Sequence, residues 1–199
     1  VREMPVAGIP VRALRLSYIG EAGWELHVPA ARAAELFLAL EAAGQPEGIG
    51  CFGSYAMNAM RLEKGYRAWS SDITPNDTPF EAGLGWAVKL KSGVPFKGRE
   101  ALEQQQKNGV PLSFVTLEVH GVTDADPLGN EPIFAPDGKL VGRATSGYYG
   151  HCLRKSLAIG YVKPEFAAVG TELSVEVLGE RKRAMVLVDS PYDPQNTDL

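Results

Sequence analysis

The sequence predicts an α+β chain, with a mixed portion over residues 1–110 followed by a small antiparallel β-barrel over 111–199. Three observations predict it. Ala33, Leu36, Phe37 and Leu40 recur at the i, i+3, i+4, i+7 spacing of an amphipathic helix. Leu14, Leu16 and Tyr18 alternate with Arg15 and Ser17, the period of two of a half-buried strand. Beyond Gly109-Val110-Pro111 the character changes to short apolar runs punctuated by turn residues, the pattern of an antiparallel barrel.

The chain opens on Val1 without an initiator Met and runs quickly into a strand-like segment, as expected of a piece of a longer protein. The alternation at 14–18 ends at Gly20-Glu21-Ala22-Gly23, and Trp24 to Val28 resumes extended. The two stretches are expected to pair as a hairpin, with Trp24, Leu26 and Val28 on one face and Glu25 and His27 on the other. A helix is expected from Ala30 to Ala43, stopped by Gly44 and Pro46, and a second from Ser54 to Lys64, ended by Gly65. Residues 65–82 are rich in Pro, Asp, Asn, Ser and Thr, and an irregular stretch of that length in a compact domain is usually functional. Leu84 to Leu90 reads as a buried strand, and Arg99 to Lys107 as a short charged helix after Gly98. Strand-like runs follow at 112–119, 131–134, 140–146, 157–162, 171–178 and 183–189. Pro136-Asp137-Gly138-Lys139 and Gly179-Glu180 are hairpin signals between them. The boundary between the two portions falls near 108–111.

Composition narrows the function classes. Of 199 residues 45% are hydrophobic and 22% charged, which excludes a disordered chain, and no apolar run approaches the roughly 18–20 residues of a membrane helix. Lys and Arg number 20 against 24 Asp and Glu, a net charge of −4 with no basic stripe, so neither nucleic acid nor a membrane is an expected partner. Cys51 and Cys152 are too few for a disulfide framework, and His27, His120 and His151 never stand at metal-ligand spacing with them. A reducing, cytoplasmic location and no metal are expected.

Candidate chemistry is sparse. His151 adjoins Cys152, but sequence neighbours point apart on an extended segment, which argues against a Cys–His pair. Gly83-Leu84-Gly85 carries two of the three glycines of a dinucleotide fingerprint, with Val88 where the third would stand and no strand-turn-helix context. Glu25 is more specific. It sits on the strand face opposite Trp24 and is either a solvated strand residue or a pocket carboxylate able to accept two parallel N–H bonds from an amidine-like edge such as that of a pteridine.

Ser17-Tyr18-Ile19-Gly20-Glu21-Ala22-Gly23-Trp24-Glu25-Leu26 resembles the Y-T-G-E-x-G-aromatic-E motif of the glycine-cleavage aminomethyltransferase family. Arg61-Leu62-Glu63-Lys64-Gly65 is similar to its R-L-E-x-G helix end, and Thr78-Pro79-Phe80-Glu81-Ala82-Gly83-Leu84 with Val88-Lys89-Leu90 to its T-P-x-E-A-G-L-x-x-x-V-K-L signature. Phe96-Lys97-Gly98-Arg99-Glu100-Ala101-Leu102 and Thr145-Ser146-Gly147 continue the resemblance in order, so that it spans nearly the whole chain. One departure is diagnostic: Met57 holds the place of a family arginine that contacts folate, and a thioether cannot replace a guanidinium there. The run from Phe52 to Lys64 with Arg67-Ala68-Trp69 instead resembles the folate-binding portion of dimethylglycine and sarcosine dehydrogenases. Those flavoenzymes carry an aminomethyltransferase-like carboxy-terminal half.

The resemblance implies tetrahydrofolate as cofactor and an N-methyl amine as substrate. FAD and the first folate-binding segments, including the aspartate that family members use near folate N5, are implied only on sequence before Val1. Carried over by position, the implied folate contacts are Tyr18, Glu25, Leu26, His27 and Trp86; no residue of the chain is an expected proton-transfer catalyst. Glu25 would hold the pterin edge, while Trp86 or Tyr18 would stack on a ring of the cofactor. The implied reaction is flavin oxidation of the N-methyl group, then capture of the one-carbon unit as 5,10-methylenetetrahydrofolate. Confinement of the electrophile beside a bound nucleophile would favour that capture. A flavin-free aminomethyltransferase and a non-catalytic folate-binding module share the same motifs. For a eukaryotic source the implied location is the mitochondrial matrix.

Overall fold

A tight turn at Ala7-Gly8, both with positive φ (49° and 75°), opens the chain and joins two antiparallel strands. In the computed structural model, which describes residues 1–122 and 124–197, β1 (Arg2–Val6) pairs antiparallel with β2 (Ile9–Leu14). A third strand, β3 (Glu25–His27), lies on the other edge of β2, with Ala13 opposite Leu26 and Leu14 opposite Glu25. Ile9 and Val11 alternate onto one face, where they meet Leu36 and, less deeply, Leu26 and Val28.

Two strand expectations fail in this half. The predicted strand at 14–18 ends at Leu14, and 15–24 is a loop with Leu16 and Tyr18 exposed. A Cβ on Gly23 would stand 2.8 Å from the Leu16 carbonyl, so the segment folds back on itself, which only glycine allows. Trp24 does not join Leu26 and Val28 in the core; it is 59% exposed, with the Arg15 guanidinium 5.6 Å from its ring centroid. Leu84 to Leu90 is likewise no strand. Residues 85–87 and 90–92 form single 3-10 turns, and the turn bonds Ala87 N–H to Leu84 C=O and Val88 N–H to Gly85 C=O replace ladder pairing. Gly83 at φ 70° and the flexible Gly85 favour turning over extension, and Trp86 is lifted to 77% exposure.

The helices form where expected. α1 (Ala33–Gly44) buries Leu36, α2 (Ser54–Glu63) ends where Gly65 takes φ 71°, and α3 (Arg99–Asn108) is the charged helix after Gly98. The stripe expected on α1 is not a buried face: of Ala33, Leu36, Phe37 and Leu40 only Leu36 is buried, because the small β-sheet packs on that residue alone while Phe37 stays 52% exposed. From residue 113 onward the chain forms a closed antiparallel barrel. Its strands are β4 (Ser113–Val119), β5 (Pro132–Phe134), β6 (Leu140–Gly150), β7 (Lys155–Val162), β8 (Glu172–Val177) and β9 (Glu180–Leu187), ordered β4-β7-β6-β5-β8-β9. Inward residues include Val115, Leu117, Ile133, Ala158, Val162, Val175 and Val186. The alternate residues Phe114, Leu157 and Ile159 face out, onto Leu62 of α2. The barrel thus carries two apolar surfaces, one filling itself and one seating the helix.

Candidate functional site

The end of α2 is unusual. Arg61, Leu62, Glu63, Lys64 and Gly65 are all buried, three of them charged, and buried charges require partners. Arg61 donates to the Asp72 carboxylate at 2.7 Å, to Ser146 Oγ at 3.0 Å and to the Tyr66 carbonyl at 2.9 Å. Glu63 accepts the Leu153 N–H at 2.8 Å, and Lys64 Nζ donates to the Asp193 carbonyl at 2.6 Å and its carboxylate at 3.0 Å. Together these bonds hold the helix end against the barrel wall and the segment beyond β9.

Where α2 ends, the irregular 66–83 segment turns over the barrel and bounds a cleft of about 580 Å³, within the usual size of a ligand pocket. Tyr18, Tyr66, Ile73, Leu84 and Trp86 supply its apolar surface; Ser17, Lys64, Arg67, Asp189, Ser190 and Asn196 supply polar groups. Tyr18 and Tyr66 stack with centroids 6.1 Å apart and planes 19° from parallel. The Tyr18 hydroxyl donates to the Arg67 carbonyl at 3.0 Å. Partial burial of the otherwise exposed Tyr18 pushes its phenol up from its ordinary value, against the nearby Arg61 charge, and the group is a neutral donor at physiological pH. Arg67 is fixed on all sides: it donates to the carbonyls of Ala82 (3.0 Å) and Gly65 (2.6 Å) and to the Asp189 carboxylate (2.7 Å), and lies 4.4 Å from the Phe114 ring centroid.

Of the residues implied as folate contacts, the structure brings Tyr18 and Trp86 to this one cleft. Glu25 and His27 lie apart from it on the solvent face of β3, joined by a 3.2 Å contact between His27 Nε2 and a Glu25 oxygen. Leu26 turns to the opposite face and packs near Ile9, Val11 and Leu36. Tyr66 and Arg67 also line the cleft, although the sequence implies neither as a folate contact and Arg67 enters only as part of the Arg67-Ala68-Trp69 resemblance. The available signal was the density of aromatic and cationic residues in Tyr66-Arg67-Ala68-Trp69, at the start of a loop already marked as functional in length. Among the described residues no group of three or more His, Cys, Asp or Glu is arranged to hold a metal, and no helix is long and apolar enough to cross a membrane.

Comparison with known proteins follows the same division. Residues 1–92 match the family model described as the GCVT N-terminal domain, and residues 113–193 that of the glycine cleavage T-protein C-terminal barrel domain. The chain is 44% identical over 182 residues to the mitochondrial dimethylglycine dehydrogenase of Mus musculus, covering 92% of this chain and 21% of that protein. It is 39% identical over 199 residues to the mitochondrial sarcosine dehydrogenase of Homo sapiens (96% and 21%) and 36% identical over 192 residues to the aminomethyltransferase of Symbiobacterium thermophilum (96% and 50%). The glycine cleavage system aminomethyltransferase T of Bartonella henselae superposes with a TM-score of 0.81 at 28% identity, covering 89% of this chain and 48% of that one. The chain therefore spans about a fifth of the length of the dehydrogenases and about half that of the aminomethyltransferases.

Proposed function

The chain belongs to the glycine-cleavage T-protein family, and from that membership we propose that it is the tetrahydrofolate-binding portion of a flavin-dependent dehydrogenase of dimethylglycine, sarcosine or a related N-methyl amine. The observation that carries the reading is the meeting of Tyr18 and Trp86, far apart in sequence, on one aromatic cleft beside Arg67. Aromatic walls suit a flat heterocycle, which stacks on them, and the neighbouring carbonyl, hydroxyl and carboxylate groups suit its polar edge. The cleft volume is also adequate for such a ligand.

When bound, tetrahydrofolate supplies the nitrogen that accepts the one-carbon unit, leaving as 5,10-methylenetetrahydrofolate. This chain's residues bind and orient. Tyr18, kept neutral and already hydrogen-bonded to the Arg67 carbonyl, offers a fixed ring for stacking, and Trp86 offers a second. Glu25 takes the pterin edge through its carboxylate, with His27 steadying it and Leu26 contributing through backbone. FAD belongs, in this reading, to sequence outside this chain. Residues 1–110 and 111–199 serve as the folate-binding and barrel units of the domain. The mitochondrial dehydrogenases among the relatives support a matrix location.

The aminomethyltransferase likeness supports a second reading, a flavin-free transferase with the same cleft, but Met57 in place of the family arginine favours the dehydrogenase. Titration of tetrahydrofolate into the full-length protein, wild type against Trp86→Ala and Tyr18→Ala, tests the cleft. Loss of affinity in both variants supports it, and unchanged affinity in both refutes it.

A further inference from the structure

The segment that carries Tyr66 and Ile73 into the cleft has no ladder of its own beyond a single bridge between Trp69 and Ile73. What holds it is Asp72, whose side chain is fully buried. One carboxylate oxygen accepts Arg61 Nη1 at 2.7 Å and the Ala68 N–H at 2.8 Å; the other accepts Thr145 Oγ1 and Ser146 Oγ, each at 2.6 Å. Its main-chain carbonyl accepts the Tyr161 hydroxyl at 3.0 Å. Five donors from α2, the loop itself, β6 and β7 converge on one residue that does not line the cleft.

Stability alone does not account for this arrangement, because a buried ion pair replaced as a unit by apolar residues of similar volume often leaves stability unchanged. What such a network supplies is a single geometry. Ile73, the next residue, lines the cleft, and Tyr66, whose carbonyl accepts from the same Arg61, stacks on Tyr18. We propose that Asp72 is a positioning residue that sets the register of the 66–83 loop, so that folate affinity depends on a carboxylate that never touches folate. This rests on the cleft being the folate site.

The test uses the full-length protein, with tetrahydrofolate affinity and melting temperature measured side by side. Asp72→Asn places an amide donor against one pair of donors and should weaken folate binding by roughly tenfold or more. The combination Arg61→Met, Asp72→Leu and Ser146→Ala removes the buried charges and the Ser146 hydroxyl, and Thr145 keeps the Ile159 carbonyl at 3.2 Å as an acceptor, while the Ala68 N–H and the Tyr66 carbonyl lose these partners. It should recover part of the melting temperature lost in Asp72→Asn and leave affinity low. A variant with both wild-type melting temperature and wild-type affinity overturns the proposal. Tyr161→Phe, which removes only the donor to the Asp72 carbonyl, covers the case in which the others fail to fold; it should weaken binding a few-fold, and unchanged affinity overturns the proposal equally. If Trp86→Ala weakens binding while the Asp72 and Tyr161 variants do not, the cleft stands and positioning alone fails. If neither Trp86→Ala nor Tyr18→Ala has an effect, the cleft reading fails and takes the proposal with it.

Discussion

The Glu63 carboxylate accepts the backbone N–H of Leu153 at 2.8 Å, joining the last turn of α2 to the turn between β6 and β7. Gly150 makes the approach possible, since a Cβ there would lie 2.8 Å from the Glu63 side chain. Glu63→Ala leaves a partly buried N–H without its acceptor and should cost about 1–2 kcal/mol, whereas Glu63→Gln keeps an acceptor oxygen and should cost less. Denaturant unfolding of the two variants against wild type measures the difference. Equal losses would show that the contact is packing alone.

Gly65 is held more tightly than any periodicity reveals. Its φ is 71°, and a Cβ would stand 2.0 Å from the Asp189 carbonyl, a backbone atom that cannot move aside cheaply. Gly8 has a similar φ of 75° but open space around it. Gly8→Ala should therefore cost only the left-handed penalty of about 1–2 kcal/mol, and Gly65→Ala about 3 kcal/mol or more. Comparable unfolding midpoints for the two would mean that the chain beyond β9 yields to the added methyl.

Alkaline titration reads the buried network from another side. Burial raises the phenols of Tyr18 and Tyr161 above the ordinary 10.0, more strongly at Tyr161, where the Asp77 charge adds to it. The native state thus holds these two protons more tightly than the unfolded chain does. The stability they contribute is intact below about pH 10 and is lost as pH rises toward the native values. The phenolate absorbance that Tyr18→Phe and Tyr161→Phe remove from the wild-type titration should appear late and together with loss of structure. Ionisation of Tyr161 at the ordinary value would contradict its burial.

The helix positions and the barrel strands are legible in the sequence: Gly44 and Gly65 mark the helix ends, and Val115, Leu117 and Val119 turn inward with a period of two, although of the α1 stripe only Leu36 is buried. Leu84 to Leu90 misled because an apolar run carries no information about whether a sheet edge is available to pair with it. The partners of Asp72 were illegible for a related reason. Arg61, Thr145, Ser146 and Tyr161 come from three elements, and only the closing of the barrel against α2 brings them together. Tyr18 and Trp86 emerged from family resemblance, whereas their neighbours Tyr66 and Arg67 needed the fold.

Glu25 decides how far the proposed folate site extends beyond the cleft. Its carboxylate lies on the exposed face of β3 beside His27, away from Tyr18 and Trp86, so its assignment to the pterin edge rests on motif position. Glu25→Gln keeps the volume but turns one acceptor oxygen into a donor, which opposes the two parallel N–H groups that such an edge presents. Losing a hydrogen bond to a charged group costs about 1.5–3 kcal/mol, or roughly 10- to 150-fold in affinity. On the proposed dehydrogenase reading, tetrahydrofolate affinity of the full-length protein should fall by that factor while amine-driven flavin reduction stays at the wild-type rate. The product should then shift from methylenetetrahydrofolate to free formaldehyde, because a one-carbon unit with no acceptor in place is released to water. Equal folate affinities for wild type and Glu25→Gln would return Glu25 to the role its exposure alone suggests, a solvated strand residue paired with His27, and would confine the site to the aromatic cleft.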